Sequence, residues 1–315
     1  MQNILLPALR LGEARLYYMD VTPPEYGVPY IIAYVVDPGR DEPLLVFDTG
    51  PARAAEGFAE ALELLGDRKV VVYLTHIHLD HGGGVGRLAS ILGERLLRVH
   101  VHPRAVRHLV DPSRLWEASR SALGEVALHY RRPDPLPESL ALATHDGEVH
   151  RYGGLEVRVL HTPGHASHHQ SLLLRWPGGS LLFPGDSAGM VHPSVDAVAP
   201  TTPPPFRLDL YVESLRSQIG LRPGAVAYTH TGLAEAEALE RHMRQVEAWK
   251  KFFEEKASRG ELGSASTESL LRGLEERDAE TAAFAATARL ISPLLYRALL
   301  LSVEGFRQYF LSHHV

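Results

Sequence analysis

Between His76 and His81, the run THIHLDHGGG gathers three imidazoles and one carboxylate: His76, His78, Asp80 and His81. These are donors for divalent transition metals. In extended backbone, residues i and i+2 project to the same side, so His76 and His78 can share one ion. Asp80 and His81, where the chain turns into a helix, point elsewhere and can serve a second. Imidazole and carboxylate donors suit zinc, manganese or iron and do not choose among them. Gly82, Gly83 and Gly84 let the backbone turn tightly beside the ions without a side chain filling the space.

Four donors do not complete two sites, and the remainder must come from further along. His165 follows the strand-like LEVRVLHT, Asp186 ends GSLLFPGD, and His230 ends GAVAYTH. The first loop itself follows the apolar KVVVYLT. Each donor thus falls at the carboxyl end of an expected strand, where layered α/β proteins build their sites.

The elements that must position them read as follows. Strands are expected over 27–36, 43–47, 69–75, 155–162, 169–176, 179–186 and 224–230, with the later ones forming a second sheet. Helices are expected over 52–66 and 85–92, and one helix closed by a Pro-rich turn over 111–139, which is either a surface element or a lid. Strand patterning stops after His230. From Leu233 the pattern is a long amphipathic helix to Ala257, a Gly-broken turn, and two more helices, the last capped by Ser292 with Pro293 at its first position. A boundary near Gly232 divides a catalytic domain, 1–232, from a helical region, 233–315. The stretch 187–209 is too rich in proline for regular structure and starts directly after Asp186, so it is expected to border a pocket. Met190, His192 and Phe206 are its candidate substrate contacts, unless they only pack the loop.

Composition restricts the chemistry. The 315 residues contain no cysteine, which removes disulfides, zinc thiolates, iron–sulfur clusters and a thiol nucleophile. A formal net charge of −6 without a basic run argues against nucleic acid and against an anionic membrane as partners, leaving small-molecule substrates. No signal-peptide pattern and no apolar run of membrane-spanning length occur, so a cytoplasmic protein is expected. The last helix is apolar around most of its circumference, which suggests a pocket wall or a homodimer contact.

Taken together, THIHLDH, HTPGH, PGDS and His230 resemble the metallo-β-lactamase fold superfamily, including its hydroxyacylglutathione hydrolases (glyoxalase II) and bacterial lactonases. The likeness covers Leu44 to Gly232. It implies a four-layer αββα sandwich with the metals at one edge, extended here by C-terminal helices. It further implies that His76, His78 and His165 hold a first metal, that Asp80, His81 and His230 hold a second, and that Asp186 bridges them. Asp48, in LLVFDTG, and His169 match positions that support the ligands, although Asp48 is also a fair helix cap. Two divalent ions, zinc first with iron or manganese as alternatives, would generate a bridging hydroxide that attacks the carbonyl of an ester, thioester or lactone, with Asp80 orienting it or taking a proton. The alternative is an oxidoreductase similar to iron persulfide dioxygenases, with one iron on His76, His165 and Asp186. A secreted β-lactamase and an RNase Z-like nuclease are not expected. His161 and His168 stay open, while His100, His102, His145, His192, His313 and His314 read as ordinary surface or core histidines, His192 being also the candidate contact named above.

Overall fold

The structure, a computed structural model, describes residues 4–192 and 194–313; Pro193 in the Pro-rich stretch, His314 and Val315 lie outside them. Backbone contacts divide the chain into two compact units: Met1–Glu25, Pro29–His161 and His168–Phe183 form the first, and Tyr26–Val28, Thr162–Ser167 and Pro184–Val315 the second.

The first unit holds a seven-stranded sheet whose strands lie in chain order: β1 (Leu6–Leu11), β2 (Ala14–Asp20), β3 (Ile32–Asp37), β4 (Leu44–Phe47), β5 (Val70–Tyr73), β6 (Leu96–Val101) and β7 (Ala141–Ala143). Pairing is antiparallel from β1 to β4 and parallel from β4 to β7. Parallel neighbours require crossovers. α1 (Ala55–Glu63) supplies the first, α2 (Val85–Leu92) the second, and α3 (Val106–Val110), α4 (Ser113–Leu123) and α5 (Val126–Tyr130) the third. Every residue of β4 and β5 is buried, which is why LLVF and VVVY read as unbroken apolar runs rather than alternating ones. A second, antiparallel set comprises β8 (Val149–Tyr152), β9 (Leu155–His161), β10 (Gln170–Trp176) and β11 (Gly179–Phe183). The two sets face each other through aromatic rings: Phe183 stacks on Phe47 at 3.9 Å between centroids and meets Tyr34 edge-on at 5.5 Å.

The second unit contains the hairpins β12 (Met190–His192) with β13 (Ala197–Ala199), and β14 (Ala225–Tyr228) with β15 (Gly232–Ala234). Its helices are α6 (Leu208–Gly220), α7 (Glu237–Ser258), α8 (Thr267–Glu275), α9 (Ala279–Ile291) and α10 (Pro293–His313). Phe306 of α10 sits among Trp249 and Phe253 of α7, with centroids 5.3 and 5.5 Å away. The indole Nε1 of Trp249 donates to Thr281 Oγ1 at 2.8 Å, so the one polar atom of this large buried ring is satisfied.

Several expectations need correction. The helix expected across 111–139 is two, α4 and α5, because Gly124 at φ 61° stops the first. The Pro-rich stretch is not devoid of regular structure: β12 and β13 form a hairpin within it. Strand structure continues past His230 as β15, and three helices rather than two follow α7, since Asp278 caps a separate α9 through Thr281 N. The strands β1, β2, β6, β7 and β8 were not anticipated. The last helix starts as expected, with Ser292 Oγ accepting from Leu295 N at 3.3 Å. Among the described residues, no helix is long and apolar enough to cross a membrane.

Candidate metal centre

In the first unit the loop after β5 carries His76, His78, Asp80 and His81, and its hydrogen bonds assign the imidazole nitrogens. Asp48, in the left-handed region at φ 55° and buried, accepts from Thr75 N at 2.7 Å and from Thr75 Oγ1 at 2.8 Å. Its Oδ2 also accepts from His81 Nδ1 at 2.8 Å. With its proton committed to Asp48, Thr75 Oγ1 accepts from His76 Nδ1 at 3.1 Å. Both rings therefore present Nε2 as the basic nitrogen, the arrangement in which an imidazole serves as a metal ligand while its other nitrogen is tied down. His76 Nε2 and His78 Nδ1 lie 3.0 Å apart, so the i, i+2 pair does converge. Asp48 is a support for the loop and not a helix cap; the following 3-10 turn begins after Pro51.

The glycines act by close approach. A Cβ on Gly82 would stand 3.0 Å from the carbonyl oxygen of His76, and one on Gly83 2.2 Å from that of Leu79. His169 is fully buried, its ring centroid 4.9 Å from that of His76. Next to it, Gln170 fastens β10 to the loop, its N donating to Thr75 O and its Nε2 to Leu74 O, both at 2.8 Å. His168 is more distant, with centroids 6.2 Å from His76 and 5.6 Å from His78. His161 pairs instead with His102, ring centroids 4.3 Å apart.

The second unit brings together the other three candidates. Asp186 is buried between two imidazoles: Oδ2 is 3.4 Å from His165 Nε2, and Oδ1 is 3.3 Å from His230 Nε2. His165 Nδ1 donates to the main-chain oxygen of Thr201 at 2.6 Å, which again turns Nε2 inward. The glycine of HTPGH is required twice over, since Gly164 has φ 134° and a Cβ there would lie 2.4 Å from Tyr211 N and Cα. Tyr211 OH is within 3.3 Å of the Asp186 carbonyl and 2.7 Å of His242 Nε2.

Met190 and His192 lie on β12, buried; the His192 ring meets Phe284 at 6.1 Å. Among the described residues its Nδ1 has no hydrogen-bond partner, and burial lowers its pKa. Phe206 packs on Tyr211, Phe306 and Tyr309 at 5.4, 5.0 and 6.2 Å. The sequence reading missed Thr75, Thr201, Tyr211 and His242. Thr75 was visible inside the motif; the other three carry no local signal.

An α/β protein with His- and Asp-rich loops at its strand ends, the imidazoles of His76, His81 and His165 each held by an oxygen behind it, has the make-up of a metal-dependent hydrolase. The profile of the metallo-beta-lactamase superfamily matches residues 27–230. The chain belongs to that superfamily, and with it to a class of metallo-hydrolases built on the αββα sandwich, here with a C-terminal helical extension. It is 33% identical over 184 residues to the metallo-beta-lactamase fold-containing protein ST1585 of Sulfurisphaera tokodaii, a match covering 57% of this chain and 67% of that protein. The crystal structure of ST1585 superposes with a TM-score of 0.64 and 29% identity over 73% of this chain and 85% of that one. An atrochrysone carboxyl ACP thioesterase of Aspergillus fumigatus is 29% identical over 49% of this chain, and the N-acyl homoserine lactonase AttM of Rhizobium radiobacter 31% identical over 41%. Those two matches span only 38% and 45% of the relatives' own lengths.

Proposed function

We propose that the chain is a dinuclear metallo-hydrolase acting on a small-molecule ester, thioester or lactone. The ligand sets would be His76, His78, His165 and Asp186 for one ion, and Asp80, His81 and His230 for the other, with Asp186, which also lies 3.3 Å from His230 Nε2, shared between them. The observation that carries this reading is the Asp186 carboxylate, whose two oxygens face two different imidazoles at 3.4 and 3.3 Å. Each oxygen thus lies beside a different imidazole, an arrangement that would let one carboxylate serve in both ligand sets.

Divalent ions bound there would supply Lewis acidity, polarising a substrate carbonyl and lowering the pKa of water. The chain's own contribution is orientation. Asp48 holds His81 through Nδ1, Thr75 holds His76, and the Thr201 carbonyl holds His165, so none of these three rings need reorganise. Asp80, also in the loop, is assigned to orient the attacking water or accept its proton. The names of the thioesterase and lactonase relatives support an activated acyl substrate. Zinc is the first candidate ion, ahead of iron and manganese.

Protein purified without chelator should contain close to two transition-metal ions per chain, His230→Ala should remove about one, and a panel of esters, thioesters and lactones should reveal hydrolysis. A single iron per chain that His230→Ala leaves in place would overturn the dinuclear reading in favour of a mononuclear oxidoreductase.

A further inference from the structure

Thr201 touches both His165 and Asp186, through two different groups. Its main-chain oxygen accepts from His165 Nδ1 at 2.6 Å, which fixes that ring's tautomer and rotation. Its hydroxyl donates to the main-chain oxygen of Asp186 at 2.8 Å, which fixes the backbone from which the carboxylate projects. The side chain is buried, so neither bond competes with bulk water. One residue thereby sets the distance and angle between an imidazole and a carboxylate that lie far apart in sequence.

Thr201 sits in an irregular segment after β13, and that segment is held by α10. Ser302 Oγ donates to Pro200 O at 2.7 Å and accepts from Thr202 N at 3.2 Å, while Thr202 Oγ1 donates to Ser302 O at 3.1 Å. The residues on both sides of Thr201 are thus bonded to one helical serine. Gly305, nearly one turn further, lets the helix backbone lie against the segment: a Cβ there would fall 1.6 Å from Thr202 O. A serine within a helix ordinarily bonds its own preceding turn, and Ala298 O is within 3.2 Å, yet the shorter contact is to Pro200.

We propose that Thr201 is a positioning residue of the metal centre and that α10 holds it in register through Ser302. This rests on the reading of His165 and Asp186 as ligands. The C-terminal helical region then contributes to metal affinity without supplying a ligand.

The test is zinc affinity, measured by competition with a chromophoric chelator, for the wild type, Asp186→Asn, Thr201→Val, Thr201→Ser and Ser302→Ala, with each protein also melted in the metal-free state. Thr201→Val should weaken zinc binding roughly ten- to a hundredfold, the usual range for loss of a partner behind a ligand. Thr201→Ser, which keeps the hydroxyl, should bind like the wild type, and Ser302→Ala should weaken binding in the same direction by a smaller factor. The metal-free melting temperatures of the Val and Ser variants should stay close together. Wild-type affinity in Thr201→Val, failure of Thr201→Ser to rescue, or an affinity loss matched by an equal loss of metal-free stability would overturn the positioning role. Wild-type affinity in Ser302→Ala would overturn the part assigned to α10. A wild type that binds no zinc, or an Asp186→Asn protein that binds it unchanged, would instead remove the ligand reading on which both depend.

Discussion

Asp48 shows how much of the candidate centre depends on one carboxylate outside the proposed ligand set. Its Oδ2 accepts from His81 Nδ1 and from Thr75 Oγ1, each at 2.8 Å. In Asp48→Asn, one oxygen becomes an amide donor. If that NH₂ faces His81, two donors confront each other, and the imidazole relieves the clash by moving its proton to Nε2, where it can no longer bind metal. We expect the variant to fold but to lose metal affinity about ten- to a hundredfold, with hydrolysis falling in parallel; zinc titration read beside far-ultraviolet circular dichroism checks both. The candidate ligands were legible because the spacing His76-x-His78-x-Asp80-His81 is local and because HTPGH and PGDS announce their strand ends. Thr201 was not legible, since a threonine hydroxyl has many ordinary uses and its partners, at 165 and 186, are set by tertiary structure. His242 was hidden for the same reason, inside a helix whose amphipathic pattern accounts for it without reference to Tyr211.

At the scale of elements, the turn carrying His165 depends on α6. Gly164 O accepts from Arg207 N at 3.0 Å, and its missing Cβ leaves room for the Tyr211 backbone at the start of that helix. Gly164→Ala combines a disfavoured φ of 134° with overlap against main-chain atoms, which cannot rotate away as a side chain would. We expect a loss of at least about 2–3 kcal/mol, seen as a lowered metal-free melting temperature, accompanied by weaker zinc binding as the turn shifts away from α6. Legibility of elements followed their environment. β4, β5 and α2 were readable because burial on both faces, or on one clear stripe, leaves an unambiguous pattern. β1 and β2 were not, because much of the hairpin is exposed and its apolar residues do not alternate cleanly. The hairpin of β12 and β13 was masked by the prolines that flank it, whose effect stops at the ends of strands only three residues long.

For the molecule as a whole, buried neutral histidines tie stability to pH. Burial pushes His242 down to about 4, and His100 and His102 are lowered to about 3 and about 4, again by burial first and then by neighbouring positive charge. Between about 4 and the ordinary value of 6.5, an unfolded chain takes up a proton that folded His242 refuses, so stability is complete above about 6.5 and declines as pH falls towards 4. His242 alone should contribute a loss of about 2 kcal/mol at pH 5 relative to pH 8. Urea unfolding with excess chelator at the two pH values measures it, and His242→Gln should flatten the dependence. Fold class, metal-type chemistry and superfamily were legible at this scale, because they follow from motif order along Leu44 to Gly232 and from the lack of cysteine. The bond between Thr202 and Ser302 has a consequence in time as well as in space, for it joins residues 100 positions apart. A ribosome adding about 5–20 residues per second delivers Thr202 roughly 5–20 s before its helical partner. Throughout that interval the nascent chain already carries His165 and Asp186 but has nothing to hold Thr201 between them. Ions captured so early would meet a loose set of donors, and tight binding would wait until α10 has been made.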